Sequence, residues 1–311
     1  MRRIVALIIC IAFAAAANGP AAAERLRVVA STLDMADLVE KIGGDRVEVY
    51  SVFRGLSDLH FFEPVPSQVM RLTRADALVV VGLDADVWMK PLIDAARNSK
   101  IRFGASGYID PSDGIRALDV PAGRIDGAMG DVHPYGNPHY WLSPDNMKIA
   151  ARNIRTGLAR VSPADEAYFT ANEERFIAEI DRTAIALRER LAPFAGAGII
   201  QYHSSWNYFC GYFGLEALES LEPKPGVPPT AKHLGEIVAL ARAGRVRLLI
   251  AEPYYPDKPV DYMWKKAGVP VLRLPIYLGA TPGVSTCLGL LEYNVDAIAR
   301  ALADESSGKR R

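Results

Sequence analysis

The sequence has little of what usually signals a chemistry. Cysteine occurs 3 times and histidine 5 times in 311 residues. Cys10 falls in the N-terminal run, so Cys210 and Cys287 allow at most one internal disulfide, and we expect them to pair in an oxidising compartment. Net charge is missing too: 36 basic residues balance 36 acidic ones. That argues against a nucleic-acid partner, which wants a basic face. There is no GxGxxG or P-loop pattern, so a nucleotide site has no support. No apolar run long enough to span a bilayer follows the first 23 residues.

What is present begins with MRRIVALIICIAFAAAANGPAAA. Arg2 and Arg3 precede an apolar run from Ile4 to Ala17, and Ala21–Ala23 offer a cleavage site before Glu24. This is a signal-peptide pattern and predicts a periplasmic protein. Ile9 stands before Cys10 where a lipid-modified cysteine would want a small residue. Half the residues (50%) are hydrophobic and 23% are charged, enough for two lobes of ordinary size.

Short apolar runs alternate with helical patterns. LRVVAS, VEVYSVF, DALVVVG and IRFGAS read as strands, with helices over 33–42, 67–74 and 86–96 between them. Residues 105–138 are rich in glycine, aspartate and proline and predict a long surface connection. Pro163 to Arg190 carries an apolar stripe of Phe169, Phe176, Ile177, Ile180, Ile185 and Leu187, which predicts a rigid rod. The alternation then resumes through GIIQYH, LEALESL, VRLLIAEP and VPVLRLP. The predicted fold is α/β: two lobes, each a mostly parallel sheet with flanking helices, joined by one long helix. The expected divisions are a signal peptide at 1–23, an N-terminal lobe at 24–162, the linking helix at 163–192 and a C-terminal lobe at 193–311.

Three histidines share a setting. His60 follows a strand and loop, His139 precedes a helix and His203 ends a strand. Ligands of open parallel sheets bind beyond the C-terminal strand ends, so these imidazoles can meet between the lobes. Imidazole suits zinc and other late first-row ions. The alternative is that each histidine is a separate cap or surface residue. His133 reads as an exposed loop residue and His233 as a surface or cap residue. Glu219, Glu222 and Lys224 read as solvated surface.

HFFEP with the following PSQVMRLTRADALVVVG, then GLDADVW, NPHYWLSP, YHSSWNYFCGYFGLE, VPPTAKHLGEIV and LLIAEPYYPDKP together resemble the metal-binding solute receptors of zinc and manganese ABC importers. The resemblance covers nearly all of the chain after residue 23. It implies a two-lobed, monomeric receptor with one connecting helix and ligand roles for His60, His139 and His203. It also implies one bound zinc or manganese ion, a membrane permease as partner, and a periplasmic metal chaperone as a second candidate partner. The family usually adds an acidic ligand after the last strand, but LRLPIYLGATPGVSTC has none. The fourth donor is therefore expected to be water or Glu252. Three nitrogens and one oxygen favour zinc over manganese, which prefers more oxygen. Two rival classes remain: a zinc-dependent hydrolase with Glu252 or Glu63 as base, and a surface adhesion protein that holds zinc only for stability.

Overall fold

The computed structural model describes residues 24–306 except 56, 124–132 and 225. The signal segment 1–23 and Cys10 lie outside these residues. In the N-terminal half, β1 (Leu26–Thr32), β2 (Val47–Phe53), β3 (Ala77–Val79) and β4 (Tyr108–Ile109) form a parallel sheet in the order β2-β1-β3-β4. Helices α1 (Leu33–Gly43), α2 (Val69–Thr73) and α3 (Lys90–Ala96) alternate with these strands. In the C-terminal half, β5 (Gly198–Gln201), β6 (Glu216–Ser220), β7 (Leu248–Ala251) and β8 (Val271–Arg273) form a second parallel sheet in the order β6-β5-β7-β8. Its helices are α6 (Asn207–Phe213), α7 (Ala231–Arg242), α8 (Asp257–Ala267) and α9 (Cys287–Ser306). In both sheets the strand order reverses beside the first strand, and such a switch point opens a crevice at the C-terminal strand ends.

Two long helices lie between the sheets, α4 (Pro144–Val161) and α5 (Glu166–Leu191). The 26 residues of α5 span ~39 Å at 1.5 Å per residue. Phe169, Phe176, Ile180, Ala184, Leu187 and Leu191 are buried along it at helical spacing. Glu166 in its first turn and Arg188 and Arg190 in its last complement the helix dipole. Ile185, predicted for the stripe, faces solvent, and Ala184 takes the inward position. Among the described residues no helix is long and apolar enough to cross a membrane.

The halves share one continuous apolar core running from Val28 through Phe169 and Ile199 to Leu302. Polar contacts reinforce it. Asp34 on α1 accepts from the Leu278 amide at 3.1 Å, and Asp37 accepts from the Cys287 amide at 2.7 Å. At Gly55, with φ of 75°, an added Cβ would fall 1.9 Å from the Leu278 carbonyl oxygen, so the 54–55 turn presses directly on the returning chain.

Three expectations need correction. Residues 101–106 form turns rather than a strand, and the fourth strand is the two-residue β4. The 105–138 connection is not simply surface: Ile109, Ile115 and Asn137 are buried, and Tyr208 ties it to the second half by accepting from the Leu118 amide and donating to the Asn137 carbonyl. Cys210 and Cys287 are both free and buried. Cys210 packs within α6, whereas the Cys287 thiol points at the Asp34 carbonyl on α1, at 3.5 Å. The two thiols thus belong to different contacts, and no disulfide forms.

Candidate metal centre

The register of the second sheet builds one side of the site. Gln201 pairs with Ser220 on β6 and with Ile250 on β7. Two residues further along, His203 therefore meets Glu222 on one flank and Glu252 on the other. The His203 Nδ1 lies 3.0 Å from Glu222 Oε2, with the two side chains only 3% and 9% exposed. Glu222 is thus no solvated surface residue. A register shift between Ile199 and Ile200 puts it there. Without that irregularity, Leu221 would face His203.

The first half supplies the other side. His60 sits in a 3-10 turn at Leu59–Phe61, capped by Asp58, whose Oδ1 accepts the His60 amide at 3.0 Å. Asp58 also accepts from the Tyr255 hydroxyl at 3.1 Å, which joins the halves at the site's rim. His139 opens the turn before α4 and is 2% exposed. Asn137 Oδ1 accepts its amide at 3.0 Å and lies 2.9 Å from its Nδ1. The Asn137 amide nitrogen in turn donates to Asp119 and to the Ser204 carbonyl. This chain of bonds fixes the ring and leaves its Nε2 toward the cavity.

His60, His139 and His203 offer ligand atoms that all lie within 4.8 Å of one another. Their ring centroids are 5.2 to 6.2 Å apart. Zinc–imidazole bonds of 2.0–2.1 Å at a tetrahedral angle put nitrogens about 3.4 Å apart. From a 4.8 Å separation each pair closes by at most about 1.4 Å to grip an ion. Burial, then the neighbouring imidazoles, holds His60 and His139 well below the usual histidine range, so their lone pairs are free at neutral pH. Burial also opposes charge on His203, but the hydrogen bond and charge of Glu222, with Glu252 and Asp58, outweigh it and shift His203 upward. Glu252 is wholly buried, and burial pushes its carboxyl up to about 7. Its Oε1 accepts from the Trp206 indole at 3.1 Å. Among the described residues it does not belong to the set of mutually close ligand atoms.

The other two histidines also find places. His233 Nε2 lies 2.8 Å from the Ser220 carbonyl oxygen, a structural tie behind β6. His133 is not an exposed loop residue: its ring packs against His60 with centroids 4.9 Å apart. No side chain comparable to a family acidic ligand stands in the 274–280 segment, which packs on α1 instead.

A family model described as the periplasmic component A of a zinc-uptake complex, ZnuA, matches residues 28–301. The chain belongs to that family. Its members are transport receptors, not enzymes, and this chain is a periplasmic metal-binding protein of the ABC-importer receptor type. The iron-binding protein YfeA of Yersinia pestis is 24% identical over 297 residues, 92% of this chain and 90% of that protein. The manganese ABC transporter substrate-binding lipoprotein PsaA of Streptococcus pneumoniae is 22% identical over 306 residues, 95% of each. A crystal structure of ZnuA superposes with a TM-score of 0.74 at 26% identity, covering 90% of this chain and 100% of that one.

Proposed function

We propose that this chain is the zinc receptor of an ABC importer: it takes up one ion through His60, His139 and His203 and hands it to the membrane permease. The similar proteins bear iron, manganese and zinc in their names, so kinship alone leaves the ion open. Donor chemistry favours zinc. The supporting observation is the set of three histidine ligand atoms within 4.8 Å of one another, with no carboxylate among them. Manganese draws on more oxygen donors and higher coordination. In this reading Glu252 acts on the site as a buried carboxyl beside His203, and Glu222 orients the His203 ring. The hydrolase alternative falls with the family, whose members are non-catalytic.

Isothermal titration of His60→Ala, His139→Ala and His203→Ala tests the ligand set. Each variant should bind zinc at least tenfold more weakly. Wild-type affinity in any of them removes that residue from the site. Competition titrations against manganese, copper and nickel test the ion, and manganese bound as tightly as zinc would overturn the assignment.

A further inference from the structure

We propose that His133 is the fourth ligand, so that the bound ion is held by four imidazoles. The proposal rests on the three-histidine centre described above and extends it. Three observations carry it. The His133–His60 ring spacing of 4.9 Å is shorter than any among the other three histidines, which run from 5.2 to 6.2 Å. His133 Nε2 is buried and has no hydrogen-bond partner, and the same is true of His60 Nε2 beside it. The Asp84 backbone also lies within electrostatic reach of the ring.

Metal-binding histidines share this arrangement: one nitrogen faces the ion and the other donates to a fixed acceptor that sets tautomer and ring direction. His139 has Asn137 in that role and His203 has Glu222. A neutral imidazole buried with one nitrogen idle is otherwise an unpaid desolvation, and such atoms call for a partner. His133 also lines the same cavity of about 310 Å³ as His139 and His203.

The local chain is built to hold His133 in place. The His133 carbonyl accepts from the Gly136 amide at 3.2 Å, and the Asn137 amide donates to the Leu118 carbonyl at 2.8 Å. Gly136 has φ of 103°, and a Cβ there would fall 2.7 Å from the Leu118 carbonyl oxygen, so only glycine closes this turn. One short stretch, His133 to His139, thereby presents two imidazoles, the second oriented by Asn137. His133 is not among the ligand atoms that already lie within 4.8 Å of one another, and in this proposal the ion draws its ring inward from beside His60. A fourth nitrogen fills the position left by the missing acidic residue, and it makes the centre less hospitable to an ion that prefers oxygen.

X-ray absorption on the zinc-loaded protein, with zinc affinities for His133→Ala, His133→Gln and His139→Ala, decides the matter. The wild-type spectrum should fit four imidazole nitrogens. His133→Ala should fit three imidazoles and one oxygen and bind zinc at least tenfold more weakly, with the circular dichroism of the metal-free protein unchanged. His133→Gln should show the same loss of an imidazole. A wild-type shell of three imidazoles and one oxygen overturns the proposal, whether or not the variants fold. Should His139→Ala lose zinc while His133→Ala keeps wild-type affinity, only the role of His133 falls. If both keep it, the three-histidine centre falls as well.

Discussion

Replacing Glu222 probes the site without touching a ligand. Its carboxylate lies 3.0 Å from His203 Nδ1, and the two side chains are 9% and 3% exposed, so water screens the pair poorly. When an ion takes Nε2, the ring becomes more acidic and its Nδ1–H a stronger donor. The interaction with Glu222 is therefore stronger in the loaded state than in the empty one, and that difference enters the affinity. Outer partners of this kind are worth 10–100-fold in metal affinity, about 1.4–2.7 kcal/mol. Glu222→Gln keeps an acceptor and the bond from the Gly226 amide but loses the charge, so it should fall near the tenfold end. Glu222→Ala loses both and should fall toward a hundredfold. Glu216→Gln, on the exposed start of β6, is the control and should leave zinc binding unchanged. Competition with a chelating dye measures all three. Glu222→Ala within twofold of wild type would show that the contact does not support the ligand.

Asp34 predicts a pH dependence. Burial raises its carboxyl from 3.8 to about 7, so the native state binds its proton more tightly than the unfolded chain does. Its contribution is therefore most favourable at low pH and is lost as pH rises through about 7. In urea unfolding of the metal-free protein, Asp34→Asn should remove up to about 4 kcal/mol of the wild-type decline between pH 4 and 8; an unchanged slope refutes it. For the cysteines, burial pushes Cys210 up to about 12 and Cys287 upward as well. Iodoacetamide without reductant should leave both unlabelled in the folded protein and label both in denaturant; a pair that resists labelling in denaturant would restore the disulfide.

The strand–helix alternation and the rod were legible because each rests on a local period. The valine-rich runs became β1 to β3, and the stripe from Phe169 to Leu187 became α5, with Ile185 facing solvent and Ile177 only half-buried. The three histidines were legible as a group because all stand near element ends. What failed was non-local. A two-residue strand such as β4 has no period to read, and its place is fixed by pairing with β3. Glu222 looked solvated because its partner is 19 residues away and depends on a register irregularity in β5–β6 that no side-chain pattern announces. The cysteine pairing failed because Cys287 faces α1 of the other half. His133 carried one available signal: it shares a proline- and glycine-rich stretch with His139, where a tight turn can bring both rings to one place.

The packing between the halves bears on how an ion leaves. A wide swing about α5 would have to part a core that runs unbroken through both sheets. Each 100 Å² of apolar contact opened costs roughly 2.5 kcal/mol. The same swing would strip Asp34 and Asp37 of the Leu278 and Cys287 amides, pull Gly55 from the Leu278 carbonyl and break the Asp58–Tyr255 contact. Local movement asks much less. His60 lies in a three-residue turn capped by one aspartate, and His133 and His139 lie at the two ends of a turn-rich stretch. His203, by contrast, is seated at the end of a central strand between two carboxylates. Release that frees the turn-borne rings first, and leaves His203 for last, disturbs neither sheet nor the shared core. On the proposed ligand set, His203 is the ligand the fold holds most firmly, and the turn-borne histidines are the ones freest to move.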